Sequence, residues 1–163
     1  MLIERAYNRS EAVRYASIWA TSRNPEYYDF EDIGGDCTNF ASQCVYSGAG
    51  VMNYTPTFGW YYVNLDNRSP SWSGVEFFYD FLVKNKGAGP FASEVSRQEI
   101  EPGDVVQLGT DCGDWYHTPV VTAVKNGLIL VAAHTLDAYN RPLNTYSYGK
   151  IRYLHIKGVR SPS

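Results

Sequence analysis

The chain has 163 residues, is 44% hydrophobic and 19% charged, and carries a formal net charge of −3 with a pI near 5.6. This length suits a single domain over residues 1–163, and the acidic balance argues against a nucleic-acid partner. No apolar run reaches the roughly 18 residues of a membrane span, so none is expected. The first residues show no signal peptide, which leaves a cytoplasmic protein or a mature or excised domain with an added Met.

Two helices are predicted in the first third of the chain. Residues 8–22 carry an apolar stripe at helical spacing, with Asn8 as the capping residue. Asp36 is suited to cap a second helix, which begins at Cys37 and stops near Gly48. The sequence thus predicts Asp36 as the capping residue and Cys37 as the first residue of this helix.

A third helix is predicted from Gly74 to Lys84. Ser73 and Glu76 have the spacing of a capping box, and Trp72 and Phe77 have the spacing of a hydrophobic staple. The helical spacing turns four side chains inward: Phe77, Phe78, Phe81 and Leu82.

The remaining sequence has strand patterns. A turn at residues 102–104 precedes an apolar run, and Asn126-Gly127 predicts a tight hairpin turn between a β-branched run and its return strand. The predicted strands are residues 105–108, 118–124, 128–133 and 151–156. Helices followed by antiparallel strands indicate an α+β fold with the N-terminal helices packed on the sheet.

Cys37 is the first candidate for chemistry. Unpaired N–H groups and the positive end of the helix dipole favour a thiolate at a helix start, so we expect its pKa to be depressed and the residue to be a nucleophile. Cys44 lies two turns later on the same helix side and is expected in the core. With Cys112 the chain has three cysteines, no disulfide framework and no zinc-type pair.

Two of the three histidines belong to the same hairpin. If Asn126-Gly127 is the loop, 125 pairs with 128, and by extension His134 faces 119 while His117 faces 136. The two imidazoles then share one face of one hairpin end, within side-chain reach. They could serve as a base and its orienting partner beside a thiolate. His155, in the last strand, is expected to be a partly exposed residue without such a role.

Two other readings of the histidine pair stay open. His117 and His134 could be half of a metal site completed by Cys37 or Asp137, although no zinc-type spacing supports it. They could also be two unrelated structural residues.

Aromatic residues make up 15% of the chain. Such rings can line a binding groove, and Trp60, Trp72, Trp115 and Tyr116 are the candidate groove residues. The alternative for the tryptophans is that they pack in the core.

The segments around Cys37 and His117 resemble a known family. Residues 36–40 (DCTNF) with 42–44 (SQC), 103–106 (GDVV) and 117–121 (HTPVV) are similar to the bacterial "putative amidase domain" family. That family is similar to the NlpC-like and CHAP peptidoglycan hydrolases, which implies a papain-like fold over nearly the whole chain. The resemblance thus implies a bacterial protein that is secreted or associated with the cell wall.

The resemblance also implies roles for individual residues. Cys37 would be the nucleophile, His117 the general base and His134 the residue that orients His117. Asp36 would cap the helix and position the backbone, and the Cys37 N–H would contribute to the oxyanion hole. Tyr116 stands where CHAP enzymes usually have glycine.

These observations predict a monomeric cysteine amidase or peptidase without a metal or cofactor. Its substrate would be a peptide or amide bond, and by resemblance a bond of peptidoglycan. Two alternatives remain: an inactive cell-wall-binding module of the same fold, and an acyltransferase that uses the same triad with an amine as acceptor. Product analysis would separate hydrolysis from transfer.

Overall fold

A computed structural model describes every residue from Met1 to Ser163. The helices are α1 (Arg9–Trp19), α2 (Cys37–Ala49), α3 (Pro70–Ser73) and α4 (Val75–Lys84). The strands are β1 (Leu2–Arg5), β2 (Tyr62–Asn64), β3 (Asn67–Arg68), β4 (Gly89–Val95), β5 (Val105–Gly109), β6 (Trp115–His117), β7 (Val120–Lys125), β8 (Leu128–Ala133), β9 (Ala138–Pro142) and β10 (Lys150–Pro162). None of the helices has the length and apolar character needed to cross a membrane.

Eight strands form one antiparallel sheet in the order β1-β10-β5-β7-β8-β9, with β4 on β10 and β6 on β5. Strands β2 and β3 form a separate short hairpin. One face of the large sheet carries the main core, to which α1, α2 and α4 contribute. The other face carries a smaller apolar cluster around Leu108, Val121 and Leu143. The α+β prediction is therefore confirmed.

The first two helix starts agree with the prediction. The Asn8 side chain accepts a hydrogen bond from the Glu11 N–H and so caps α1. Helix α2 begins at Cys37, and Gly50 ends it in the left-handed conformation with φ 69°. Nearly every residue of α2 is buried, because the helix lies under the sheet and beside α1 and α3.

The start of α4 differs from the prediction. Ser73 ends α3, and its hydroxyl accepts from Arg68 Nε instead of capping α4. Glu76 pairs with Arg152 at 2.6 Å. Phe77 is 60% exposed, so the staple and its inward position were wrong. The other three predicted inward residues are buried: Phe78, Phe81 and Leu82.

The Asn126-Gly127 turn is confirmed. Both residues have positive φ, 51° and 81°, and Lys125 pairs with Leu128. Six strands were not predicted: β1, β2, β3, β4, β6 and β9. Of these, β1 and β4 pair with β10, which is distant in sequence, and a local pattern carries no sign of such a partner.

A β-bulge in β7 overturns the predicted placement of the histidines. Ala123 pairs with Leu130 as the turn requires, but the next pair is Val121 with Val131, which leaves Thr122 as an extra residue. A slip of one residue sends every later side chain to the opposite face. His134 therefore lies on the helix-covered face and His117 on the other face, instead of sharing one.

Candidate active site

Cys37 is the first residue of α2 and is 6% exposed. Its sulfur lies 3.8 Å from the carbonyl oxygen of Tyr116 and 3.8 Å from the hydroxyl oxygen of Thr38. The backbone N–H of Thr118 also lies near enough to the sulfur to lower the pKa of the thiol. The thiol is thus held against the two peptide groups that flank His117.

The thiol of Cys37 is not activated in the way the helix start suggested. Burial raises its pKa, and hydrogen bonds from the Thr38 hydroxyl and the Thr118 N–H lower it only in part. The nearby Asp36 carboxylate raises it further. Desolvation outweighs the helix dipole here, so the resting group is a neutral thiol and the expected depression of its pKa was wrong.

His117 ends β6 opposite Leu108, on the face away from the helices. Its ring centroid is 5.7 Å from that of Tyr146. Burial, with a smaller effect of the Arg141 charge, lowers the pKa of His117 to about 4. Neither ring nitrogen takes part in a hydrogen bond within the protein, so at neutral pH the ring is uncharged and free to accept a proton.

His134 does not contact the ring of His117. Its Nδ1 is 2.5 Å from Asp36 Oδ2, and its Nε2 donates to the Trp19 carbonyl oxygen at 2.8 Å. The ring stacks on Phe40 at a centroid distance of 4.0 Å. Both nitrogens are occupied, so His134 is not the residue that orients His117.

Asp36 holds the segment before Cys37 in place. It is 1% exposed, and its side chain makes no capping bond to α2, which corrects the capping role expected for it. Oδ1 instead accepts from the Phe30 N–H and from Asn39 Nδ2, both at 2.8 Å. The Asp36 N–H donates to Thr135 Oγ1 at 3.1 Å.

Arg23 joins the loop before Cys37 to the turn after His134, and sequence reasoning missed it. Its guanidinium pairs with Asp29, Glu31 and Asp137 at 2.8–3.2 Å and lies 3.7 Å from Asp36. A single arginine beside a loop rich in carboxylates was the available signal.

Two of the four proposed groove residues belong to the core. Trp60 and Trp72 are fully buried, and their indole N–H groups donate to Ser42 Oγ and Asn39 Oδ1. They are therefore not groove walls.

The other two, Trp115 and Tyr116, lie in β6. Trp115 is partly buried under the Arg152 guanidinium, 4.0 Å from its ring centroid. Tyr116 is 47% exposed, and its hydroxyl donates to the Ser147 carbonyl. The backbone carbonyl of Tyr116 contacts the Cys37 sulfur, while its side chain lies at the surface.

No group of three or more His, Cys, Asp or Glu side chains is arranged to hold a metal ion. The metal reading also required His117 and His134 on one face, and the bulge separates them. The metal-site alternative is therefore withdrawn on the geometry of the histidines.

A cavity of about 460 Å³ lies away from these residues, between the loop that follows α2 and the outer side of α4. Phe58, Phe77 and Lys84 are among its lining residues, and Cys37, His117 and His134 are not. Helix α2 spans about 20 Å, with Cys37 at its opposite end. The cavity therefore plays no part in the candidate site.

Comparison with known proteins places these elements within one family. Residues 6–157 match the family described as "Putative amidase domain". The chain is similar to the uncharacterized protein YhbB of Bacillus subtilis strain 168, with 36% identity over 140 residues that cover 83% of this chain. It spans 43% of the length of that relative. No solved structure matches the chain.

Proposed function

This chain belongs to the "Putative amidase domain" family, and from that membership we propose that it hydrolyses amide bonds with Cys37 as the nucleophile. The observation that carries the proposal is the position of the thiol at the start of α2, against the peptide groups on either side of His117. The Cys37 N–H makes no hydrogen bond within the protein, so it is free to bind a developing oxyanion.

The proposed reaction begins from a neutral thiol and a neutral imidazole. As Cys37 Sγ attacks the substrate carbonyl carbon, His117 takes the thiol proton and the Cys37 N–H binds the oxyanion. His117 then gives this proton to the leaving amine as the C–N bond breaks. In the second half, His117 takes a proton from water, the hydroxide attacks the thioester, and the proton returns to the departing sulfur.

His117 is the base that best fits these steps. The thiol contacts the peptide groups that flank His117, but the ring itself lies on the opposite face of the sheet. The proposed reaction therefore requires the end of β6 to turn when substrate binds, and no hydrogen bond of the ring opposes this movement. Catalytic hydrogen bonds are often absent in unliganded enzymes and form with the substrate. His134 cannot replace it, because both of its nitrogens are engaged.

We propose peptidoglycan as the substrate class, on the strength of the resemblance to NlpC-like and CHAP hydrolases. The test is incubation of the protein with purified bacterial cell walls, followed by mass spectrometry of the released fragments. Hydrolysis predicts paired new amino and carboxyl ends. Wall binding without new ends would favour the inactive binding module, and fragments extended by an added amine would favour acyl transfer.

The pH dependence of turnover follows from the pKa of His117. As a base, His117 must be uncharged, and its pKa is lowered to about 4. We expect kcat/KM to rise with pH through about 4 and to stay level to about 8. A thiolate–imidazolium pair carries the same number of protons as the neutral pair, so this profile tests the pKa of His117, and thiol labelling distinguishes the two pairs. An activity that decreases between pH 5 and 8 would contradict His117 as a base with a lowered pKa.

Alkylation by iodoacetamide tests the thiol directly, in a Cys112→Ser background because Cys112 is exposed. Cys44 is fully buried and should stay unlabelled. Since burial raises the pKa of Cys37, we expect slow labelling that accelerates only above the ordinary thiol range, near pH 8.5. A labelling midpoint below pH 8 would show an activated thiolate and would contradict this prediction.

A further inference from the structure

The partners of His134 determine how many protons its ring carries. Nε2 lies 2.8 Å from the carbonyl oxygen of Trp19. A carbonyl oxygen can only accept, so Nε2 bears a proton. Nδ1 lies 2.5 Å from Asp36 Oδ2, and one further proton lies between these two atoms.

The hydrogen bonds of Asp36 place that second proton on the ring. Asp36 Oδ1 accepts two N–H groups, from Phe30 and from Asn39 Nδ2, each at 2.8 Å. Hydrogen bonds to a carboxylate favour its ionised form. Oδ2 therefore accepts as well, and Nδ1 donates to it, so His134 is an imidazolium paired with a carboxylate.

The charges around the pair are consistent with this assignment. Arg23 is the nearest cation, 3.7 Å from Asp36 Oδ2, and it is shared with three other carboxylates, those of Asp29, Glu31 and Asp137. From α2 the Phe40 ring stacks on His134, and from α1 the Trp19 carbonyl oxygen accepts from its Nε2. One guanidinium faces four carboxylates, so a second positive charge is favoured at the ring.

We propose that His134 is a positioning residue whose doubly protonated ring fixes Asp36 and, through it, the Cys37 N–H. The neighbouring Thr135 holds the backbone of Asp36, because its hydroxyl accepts a hydrogen bond from the Asp36 N–H at 3.1 Å. Two consecutive residues after β8 thus hold both the carboxylate and the backbone of the residue that precedes the nucleophile. The link to oxyanion binding rests on the proposed function, whereas the proton count does not.

Nitrogen-15 NMR of histidine-labelled protein tests the proton count without any turnover. The Cys37→Ala variant is used at pH 7.5, and single His117→Gln and His155→Gln variants assign the three rings. We expect both nitrogens of His134 to be protonated and in slow exchange, and His117 to be a neutral ring. A His134 ring with one protonated nitrogen would overturn the proposal.

Asp36→Asn tests the positioning role with an isosteric change. Its amide can accept from Phe30 and Asn39 while donating to His134 Nδ1, so we expect the fold to persist and the ring to lose its Nδ1 proton. Turnover should fall about 10- to 100-fold in kcat, with KM little changed, because the Cys37 N–H is less firmly held.

Asp29→Asn is the matched control. It removes a charge from the Arg23 cluster without touching Asp36 or His134, and it should leave kcat and both ring protons unchanged. Wild-type kcat in Asp36→Asn would overturn the positioning role. If the wild-type protein cleaves no amide, the proposed function fails, and the NMR result still decides the protonation of His134.

Discussion

Replacing Cys37 with alanine is expected to reduce amide turnover by about 10⁴-fold or more, because no other group near His117 can form the acyl intermediate. The change removes one sulfur atom from a buried position at the start of α2. The fold should therefore remain, since alanine is a good helix former. Turnover is measured on cell-wall fragments, with mass spectrometry to detect the acyl-enzyme in the wild-type protein.

Two cysteine variants serve as controls for this loss. Cys112→Ser removes the exposed thiol and should keep full turnover. Cys44→Ala removes a fully buried thiol from the same helix and should change stability more than turnover. Turnover that survives in Cys37→Ala would end the cysteine mechanism, whatever the controls show.

The second large effect is expected on stability. His134→Ala leaves the buried Asp36 carboxylate without its ring partner and removes the stack on Phe40. Breaking one side of a buried ion pair costs about 3–5 kcal/mol of unfolding free energy. Urea denaturation followed by circular dichroism measures the loss.

His155→Ala is the matched histidine control. His155 is partly exposed, and its partner Asp104 keeps the Arg9 guanidinium and the Ile156 N–H when the ring is removed. We expect a loss of about 1 kcal/mol, as for the removal of one hydrogen bond whose acceptor keeps its other donors. Equal losses in both histidine variants would contradict the importance assigned to the buried pair.

A double-mutant cycle separates the pair from its surroundings. Asp36→Asn in the His134→Ala background removes the stranded charge, so the double variant should be less destabilised than the sum of the single variants. Strict additivity would mean that the two side chains do not interact, contrary to their 2.5 Å contact.

Several local features of this protein were predicted from the sequence because they depend on neighbouring residues. The Asn8 cap, the start of α2 at Cys37 and the Asn126-Gly127 turn each involve residues a few positions apart. Capping and turn preferences act over that distance. The sequence therefore predicted that one thiol lies at a helix start. It also predicted that helices come first and antiparallel strands follow, as in an α+β fold.

The capping box at Ser73 shows where such local rules fail. Its spacing was correct, but Arg68 and Arg152 take the two side chains that should have paired with the backbone. The competition is set by residues that the fold brings together, and the spacing carries no sign of it.

The histidines show the same limit at the candidate site. That His117 comes just before the first strand of the hairpin and His134 just after the second follows from the turn, but the bulge at Thr122 depends on how β7 fits between β5 and β8. One extra residue there reverses the face of each later side chain. No local pattern marked Thr122 as that residue.

The sequence by itself determined that a cysteine begins a helix and that two histidines end one hairpin. Only the tertiary structure decided what these groups are: a neutral buried thiol, a neutral His117 without partners, and a His134 joined to Asp36. The physical reason is that helix starts and turns follow from short-range backbone geometry. Desolvation and charge pairing depend on every element that packs around a group.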